Sequence, residues 1–265
     1  LKKAINGLVN KVNVTNLKGI VLDLFGENIV RGRALLVRSL LKSQLASPAF
    51  THVYAALVAV INTKMPEIGE LLLKRLVSQF RRAFKRSDKG MCLSLGRFIA
   101  HLVNQQVAHE VLVLQMLTVL LDQPTDHSVE VACTVTQEVG ATLVDVSPEG
   151  LNGVFERLRG ILHEGALDKR VSFTIEQLFA ARKAKFAAFP GVVPELDIVE
   201  AEDQITHEVM LDDELDLEER LDYFQEDPDY EANEARYAAL RREILGEESG
   251  DDESGSGEGS GEEDS

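Results

Sequence analysis

The stretch PEIGELLLKRLVSQFRRAF, residues 66–84, returns to an apolar residue every third or fourth position. Ile68, Leu72, Leu76 and Phe80 make one stripe, with Leu73, Val77 and Phe84 beside it. Glu67, Glu70, Lys74, Arg81 and Arg82 take the other side. A period near 3.6 residues predicts a helix with one buried face. Glu70 precedes Lys74 by one helical turn, the favourable order for a surface ion pair. Leu151, Val154, Phe155, Leu158, Ile161 and Leu162 repeat the stripe after Ser147-Pro148, where Ser suits an N-cap and Pro a first helical residue. Residues 111–121 are apolar on nearly every side, as expected of a helix flanked by neighbours.

Breaks at Gly26, Gly32, Ser47-Pro48, Met65-Pro66, Gly90, residues 104–106, Pro124-Thr125, Ser147-Pro148 and Gly165 divide the first 190 residues. They delimit helices at 1–9, 15–27, 31–46, 51–64, 66–85, 90–104, 108–122, 128–143, 148–163 and 168–186. Paired in order, these give hairpins of roughly 37 residues, near the ~40-residue period of HEAT-type repeats. The expected fold class is therefore all-α, an α-α superhelix of about five helix pairs. A plain helical bundle stays open, since helix number alone does not separate the two.

Three segments are expected: a helical body at 1–190, an acidic extension at 191–245 and a linker at 246–265. Residues 192–210 mix apolar and acidic residues without a helical period. A short acidic helix is predicted near 216–225 and a better one at 230–245, with Tyr230, Tyr237, Leu240 and Ile244 on one side. From Gly246 the chain is Gly, Ser, Glu and Asp, with almost nothing to bury, so disorder is expected.

The net charge of −16 conceals a segregation. Residues 1–190 hold 24 Lys and Arg against 16 Asp and Glu, and residues 191–265 hold 4 against 28. A mildly basic body thus carries a strongly acidic tail, the pattern of an interaction or shielding segment. Cys92 and Cys133 lack the number and spacing of a disulfide framework. No apolar run reaches the roughly 18–20 residues that span a bilayer, so no membrane partner is expected. The chain opens at Leu1 and reads as part of a longer protein.

The residues offer little to catalysis. None of the six His pairs with a second His or a Cys at zinc spacing, and no phosphate loop or nucleophile elbow occurs. No enzyme activity, metal or cofactor is expected. Asn13-Val14-Thr15 matches the glycosylation triplet, a pattern common by chance. Basic residues gather at Arg31, Arg33, Arg38 and Lys42, and again at Arg81, Arg82, Lys85, Arg86 and Lys89. Such clusters focus positive potential and are candidate RNA or partner contacts. The second also suits the C-terminal turn of a helix, whose dipole favours cations.

The opening LKKAINGLVNKVN (residues 1–13) resembles the start of the middle domain in nucampholin-type pre-mRNA splicing factors. That domain belongs to the HEAT-like family named after the middle portion of translation initiation factor 4G. Similar stretches are ENIVRGR (27–33), SPAFTHVYAAL (47–57), IGEL (68–71), VAHEVL (107–112), PTD (124–126), FERLR (155–159), ILHE (161–164), DKRV (168–171) and DQITH (203–207). The likeness runs from residue 1 to about 245. It implies a nuclear scaffold that binds the DEAD-box helicase initiation factor 4A-III. On that likeness, the scaffold holds the helicase inactive and brings it to the spliceosome for assembly of the exon junction complex. It also implies that an Asn-Lys pair in the first inter-helix loop, here Asn10-Lys11, carries the helicase contact. Read from the residues alone, that pair is an ordinary capped turn. The alternative function is an RNA-binding solenoid that uses the clusters at 31–42 and 81–89.

Overall fold

The computed structural model describes residues 1–247. Ten helices fill the body: α1 (Lys2–Lys11), α2 (Leu17–Phe25), α3 (Arg33–Ala46), α4 (Thr51–Lys64), α5 (Pro66–Lys85), α6 (Lys89–Asn104), α7 (Glu110–Asp122), α8 (Asp126–Val146), α9 (Pro148–Glu164) and α10 (Lys169–Lys183). Each falls within a few residues of its expected span. The residues of the deciding stretch explain α5. Ile68, Leu72, Leu73, Leu76, Val77 and Phe80 are all buried, and Lys74 reaches Glu70 at 2.8 Å.

The packing order separates a solenoid from a bundle. Helices two apart in sequence stack on one another: α2, α4, α6, α8 and α10 in one layer, and α1, α3 and α5, then α7 and α9, in the other. Successive hairpins therefore share one elongated core, in which Phe80, Phe98, Phe155 and Phe186 are fully buried. The architecture is the expected all-α superhelix of helix pairs, and among the described residues there is no strand.

Some local expectations need correction. Ser147 precedes α9 as foreseen and Pro148 opens it, but the Ser147 side chain makes no capping bond. Side-chain caps form elsewhere, at Asp88 before α6, at Thr125 and Ser128 around the start of α8, and at Asp168 before α10. The break expected at Gly90 is thus at Asp88, and Gly90 lies inside α6. Helix α7 is not enclosed on nearly every side: Thr118 and Val119 are exposed, because α6, α8 and α9 cover only its other faces.

The largest surprise lies beyond Pro190. The compact unit continues to Glu226, so residues 191–226 belong with the helices although they are not helical themselves. This segment, the strap, contains short 3-10 turns at Pro194–Leu196, Ala201–Asp203 and Glu219–Asp222. The last stands where a short acidic helix was expected. A second unit begins at Asp227 and holds α11 (Tyr230–Leu245), the helix expected at 230–245. Asn233 donates to Asp227 at 2.9 Å within that unit, and Gly246 ends α11 in the left-handed region. The disorder expected of the linker concerns residues that lie, from 248 onward, outside the described ones.

Candidate partner-binding site

The end of α1 is built by three asparagines. Ile5 and Val9 bury the inner face of the helix, which leaves Asn10 and Lys11 exposed on its last turn. Both residues are helical rather than part of the loop, since the extended conformation begins only at Val12. The Asn13 carboxamide oxygen accepts from Thr15 N at 2.9 Å, Thr15 Oγ1 at 2.7 Å and Asn16 N at 3.0 Å. Asn16 answers by accepting from Asn13 N at 2.7 Å and donating to the Lys11 carbonyl at 2.8 Å. The Asn-Val-Thr triplet is therefore the core of a turn.

The carbonyl of Lys11, which α1 itself leaves unpaired, is satisfied by that side chain. Ser43 of α3 donates to Asn10 Oδ1 at 3.0 Å, tying the helix end to its neighbour. The result is a rigid corner that presents a carboxamide and an ammonium to solvent. One turn earlier, a Cβ on Gly7 would meet nothing within 4 Å. A helix-interior glycine costs about 0.5–1 kcal/mol relative to Ala, and no contact within the fold requires this one.

The strap crosses the second layer. Near its start, Gln105 donates to the Leu196 carbonyl at 3.2 Å. Further on, Asn62 at the end of α4 donates to the Ile205 carbonyl at 2.7 Å. That bond orients the amide, so Asn62 Oδ1 accepts from His207 Nε2 at 2.7 Å. Residues 206–207 add a short parallel bridge to the α6–α7 loop: His207 N donates to the Val107 carbonyl at 2.8 Å, and His109 N to the His207 carbonyl at 3.1 Å. Burial pushes the His207 imidazole below its ordinary 6.5; the Glu70 carboxylate opposes this shift and the Lys74 ammonium adds to it.

Beyond this bridge the strap joins α7 to α5. Leu211 N donates to Gln115 of α7 at 2.8 Å, and Arg81 of α5 donates to the Asp213 carbonyl at 2.9 Å. The strap then passes over α5 to α3. Arg75, only 6% exposed, donates to the Leu217 carbonyl at 3.0 Å, the Glu218 carbonyl at 3.3 Å and Asp222 Oδ1 at 2.9 Å. Arg33 pairs with Glu218 at 2.9 Å, and Arg38 reaches the Asp222 carbonyl at 3.3 Å. Glu218 itself has a left-handed backbone, φ 47, a conformation that costs a non-glycine residue about 1 kcal/mol or more. The Arg33 hydrogen bond, more than its charge, holds the Glu218 carboxyl below the usual carboxylate value despite partial burial.

The two basic clusters fare differently from one another. Arg33, Arg38 and Arg81 are engaged by the strap, and the Arg31 backbone N–H bonds Asn28 Oδ1 at 3.0 Å. Lys89 is paired with Glu130. Among the described residues Arg82 reaches Ser78 at 3.3 Å, and Lys85 and Arg86 are exposed. The clusters therefore do not merge into one open basic surface. Arg75 was missed by sequence reasoning, yet it stands four residues after Leu71, inside the apolar sector of α5. A cation there signals a buried acceptor.

A family model described as the MIF4G domain matches residues 2–185. The chain is 58% identical over 252 residues to the Pre-mRNA-splicing factor cwf22 of Schizosaccharomyces pombe, covering 95% of this chain and 28% of that protein. It is 56% identical over 247 residues to the Pre-mRNA-splicing factor CWC22 homolog of Homo sapiens, covering 93% and 27%. Against the Drosophila melanogaster homolog it is 58% identical over 250 residues, covering 94% and 19%. The chain thus spans less than a third of the length of each of these relatives. Their names agree with the splicing-factor resemblance of the motifs.

Proposed function

From the premise that this chain belongs to the MIF4G domain family, we propose that it is the helicase-binding scaffold of a nuclear pre-mRNA-splicing factor. It works by binding, without catalysis of its own. Its partner is the DEAD-box helicase initiation factor 4A-III, held inactive and carried to the spliceosome for exon junction complex assembly. The observation that supports this reading best is the corner at Asn10 and Lys11. Packing leaves both side chains outside, while Asn16 holds the Lys11 backbone carbonyl and Ser43 holds the Asn10 side chain. A fixed helix end loses little entropy on binding. Lys11 offers a mobile cation to an acidic pocket, and Gly7 allows a partner's atoms close to the helix backbone.

The test is the double change Asn10→Asp with Lys11→Glu. Exposed substitutions usually alter stability by about 0.5 kcal/mol or less. Loss of a desolvated charge pair at an interface costs roughly 2–5 kcal/mol, or one to three and more decades in affinity. Calorimetry with purified helicase should show that loss at an unchanged melting temperature. Near-native affinity would refute the assignment. RNA binding through the basic clusters draws less support, because Arg33 and Arg81 already serve the strap. The pair Lys85→Glu with Arg86→Glu is the matched control: it should weaken RNA contact and spare the helicase.

A further inference from the structure

We propose that Tyr223 and Phe224 form an aromatic hook that docks into an apolar pocket on another protein, a pocket bordered by lysine or arginine side chains. Tyr223 is 76% exposed and Phe224 97% exposed, adjacent in the chain. Full burial of a phenylalanine is worth about 1.5–3 kcal/mol, and the fold takes none of it at Phe224. Other exposed large apolar residues, such as Leu22 at 56% and Phe173 at 58%, stand singly on helices, which is ordinary for a surface.

The hook is presented rather than loose. Asp222, the residue before it, is fastened twice: its carboxylate to Arg75 at 2.9 Å and its carbonyl to Arg38 at 3.3 Å. The backbone then turns extended at Tyr223, φ −106 and ψ 145, and leaves the 3-10 turn at Glu219–Asp222. An aromatic side chain on an anchored stem gives large contact area at small entropic cost, the character of an interface hot spot.

The surrounding charge selects the partner. Glu219 and Glu226 are exposed on either side of the pair, and Asp227 and Asp229 follow in sequence. Carboxylates repel phosphate, so nucleic acid and anionic lipid are disfavoured even though both accept aromatic side chains. A protein pocket with a cationic rim satisfies both the ring and its flanks. This proposal rests on the strap alone and is independent of the helicase reading.

The experiment places the photo-crosslinker p-benzoylphenylalanine at position 224 of the whole chain in splicing-competent nuclear extract. Mass spectrometry then identifies the crosslinked peptide, and the crosslinked protein is purified. The expected result is one protein, crosslinked at an apolar site beside Lys or Arg. Its affinity should fall at least about tenfold with Phe224→Ala and be largely restored with Phe224→Tyr. The melting temperature should not change, since Phe224 is almost wholly exposed. Crosslinks to RNA, to a second copy of this chain or to the chain itself would overturn the proposal. So would the absence of any crosslinked protein, or unchanged binding by Phe224→Ala.

Discussion

Arg75 on α5 and Asp222 at the end of the strap lie 2.9 Å apart, although 147 residues separate them in the chain. The same guanidinium also satisfies two strap carbonyls, so one buried cation holds a segment that has short 3-10 turns but no α-helix of its own. Replacement of Arg75 by Ala orphans those three acceptors. Loss of one partner from a buried charged network costs about 3 kcal/mol. Urea unfolding of Arg75→Ala should show that loss, and limited proteolysis should cut within 197–222 sooner. Arg75→Lys keeps the charge without the fork of donors and should recover less than half.

The helical body was legible in the sequence because α5 and α9 carry a 3.6-residue stripe, and Pro, Gly and polar breaks divide the rest into apolar segments of helix length. The strap was not, because nothing local dictates it. Leu196 and Val209 are its buried apolar residues, and its other anchors include the distant side chains of Arg33, Asn62, Arg75, Arg81, Gln105 and Gln115. Such pairing across more than 90 positions leaves no periodic trace. The arginines of the first cluster read as an open basic patch for the same reason: Glu218, the carboxylate partner of Arg33, lies 185 residues from it, and the carbonyl that meets Arg38 lies 184 residues away. The proposal for Asn10 and Lys11 rests on resemblance. Their local signal, Asn13 three residues before Asn16, reads equally well as a plain turn.

The Asn62–His207 contact predicts an acid-sensitive fold. Burial disfavours the imidazolium, so the folded chain refuses a proton that the unfolded chain accepts near 6.5. Stability is then complete above about 6.5 and drains as pH falls below it, because the unfolded state binds more protons there. His52 is lowered by burial in the same direction and adds to the effect. Glu218 is held below 4.5 and acts only in more acid solution. Urea unfolding followed by circular dichroism should show declining stability from pH 7 to 5.5. His207→Gln should flatten that slope and be less stable at pH 7.

Gly69 on α5 should resist the smallest enlargement. A Cβ there would stand 2.2 Å from Asn62 Oδ1, the atom that accepts from His207. In most exposed helix interiors Gly→Ala stabilises by about 0.5–1 kcal/mol. At this position the methyl group must displace Asn62, and overpacking typically costs about 1–3 kcal/mol. Gly69→Ala is therefore expected to lower the melting temperature and to speed hydrogen exchange at the His207 amide. Gly7→Ala, which meets open space, is the control that should raise it.

The last prediction concerns what the strap conceals. Glu218 neutralises Arg33, and Asp222 neutralises Arg75 and positions the carbonyl that meets Arg38. Changing Glu218→Gln with Asp222→Asn removes two negative charges but keeps hydrogen-bond acceptors of the same size. Arg75 is too buried to reach a ligand, so its exposure should change little. Arg33 and Arg38 lie nearer the surface and gain net positive potential. Each additional phosphate contact steepens the dependence of log affinity on log salt by about 0.7 for a single strand. Fluorescence anisotropy with a single-stranded RNA should therefore show tighter binding in low salt and a slope steeper by roughly 0.7 to 1.4. On the proposed function, which places the helicase contact at Asn10 and Lys11, the same variant should bind the helicase normally. An unchanged slope would mean that the first basic cluster is structural only, there to fasten the strap.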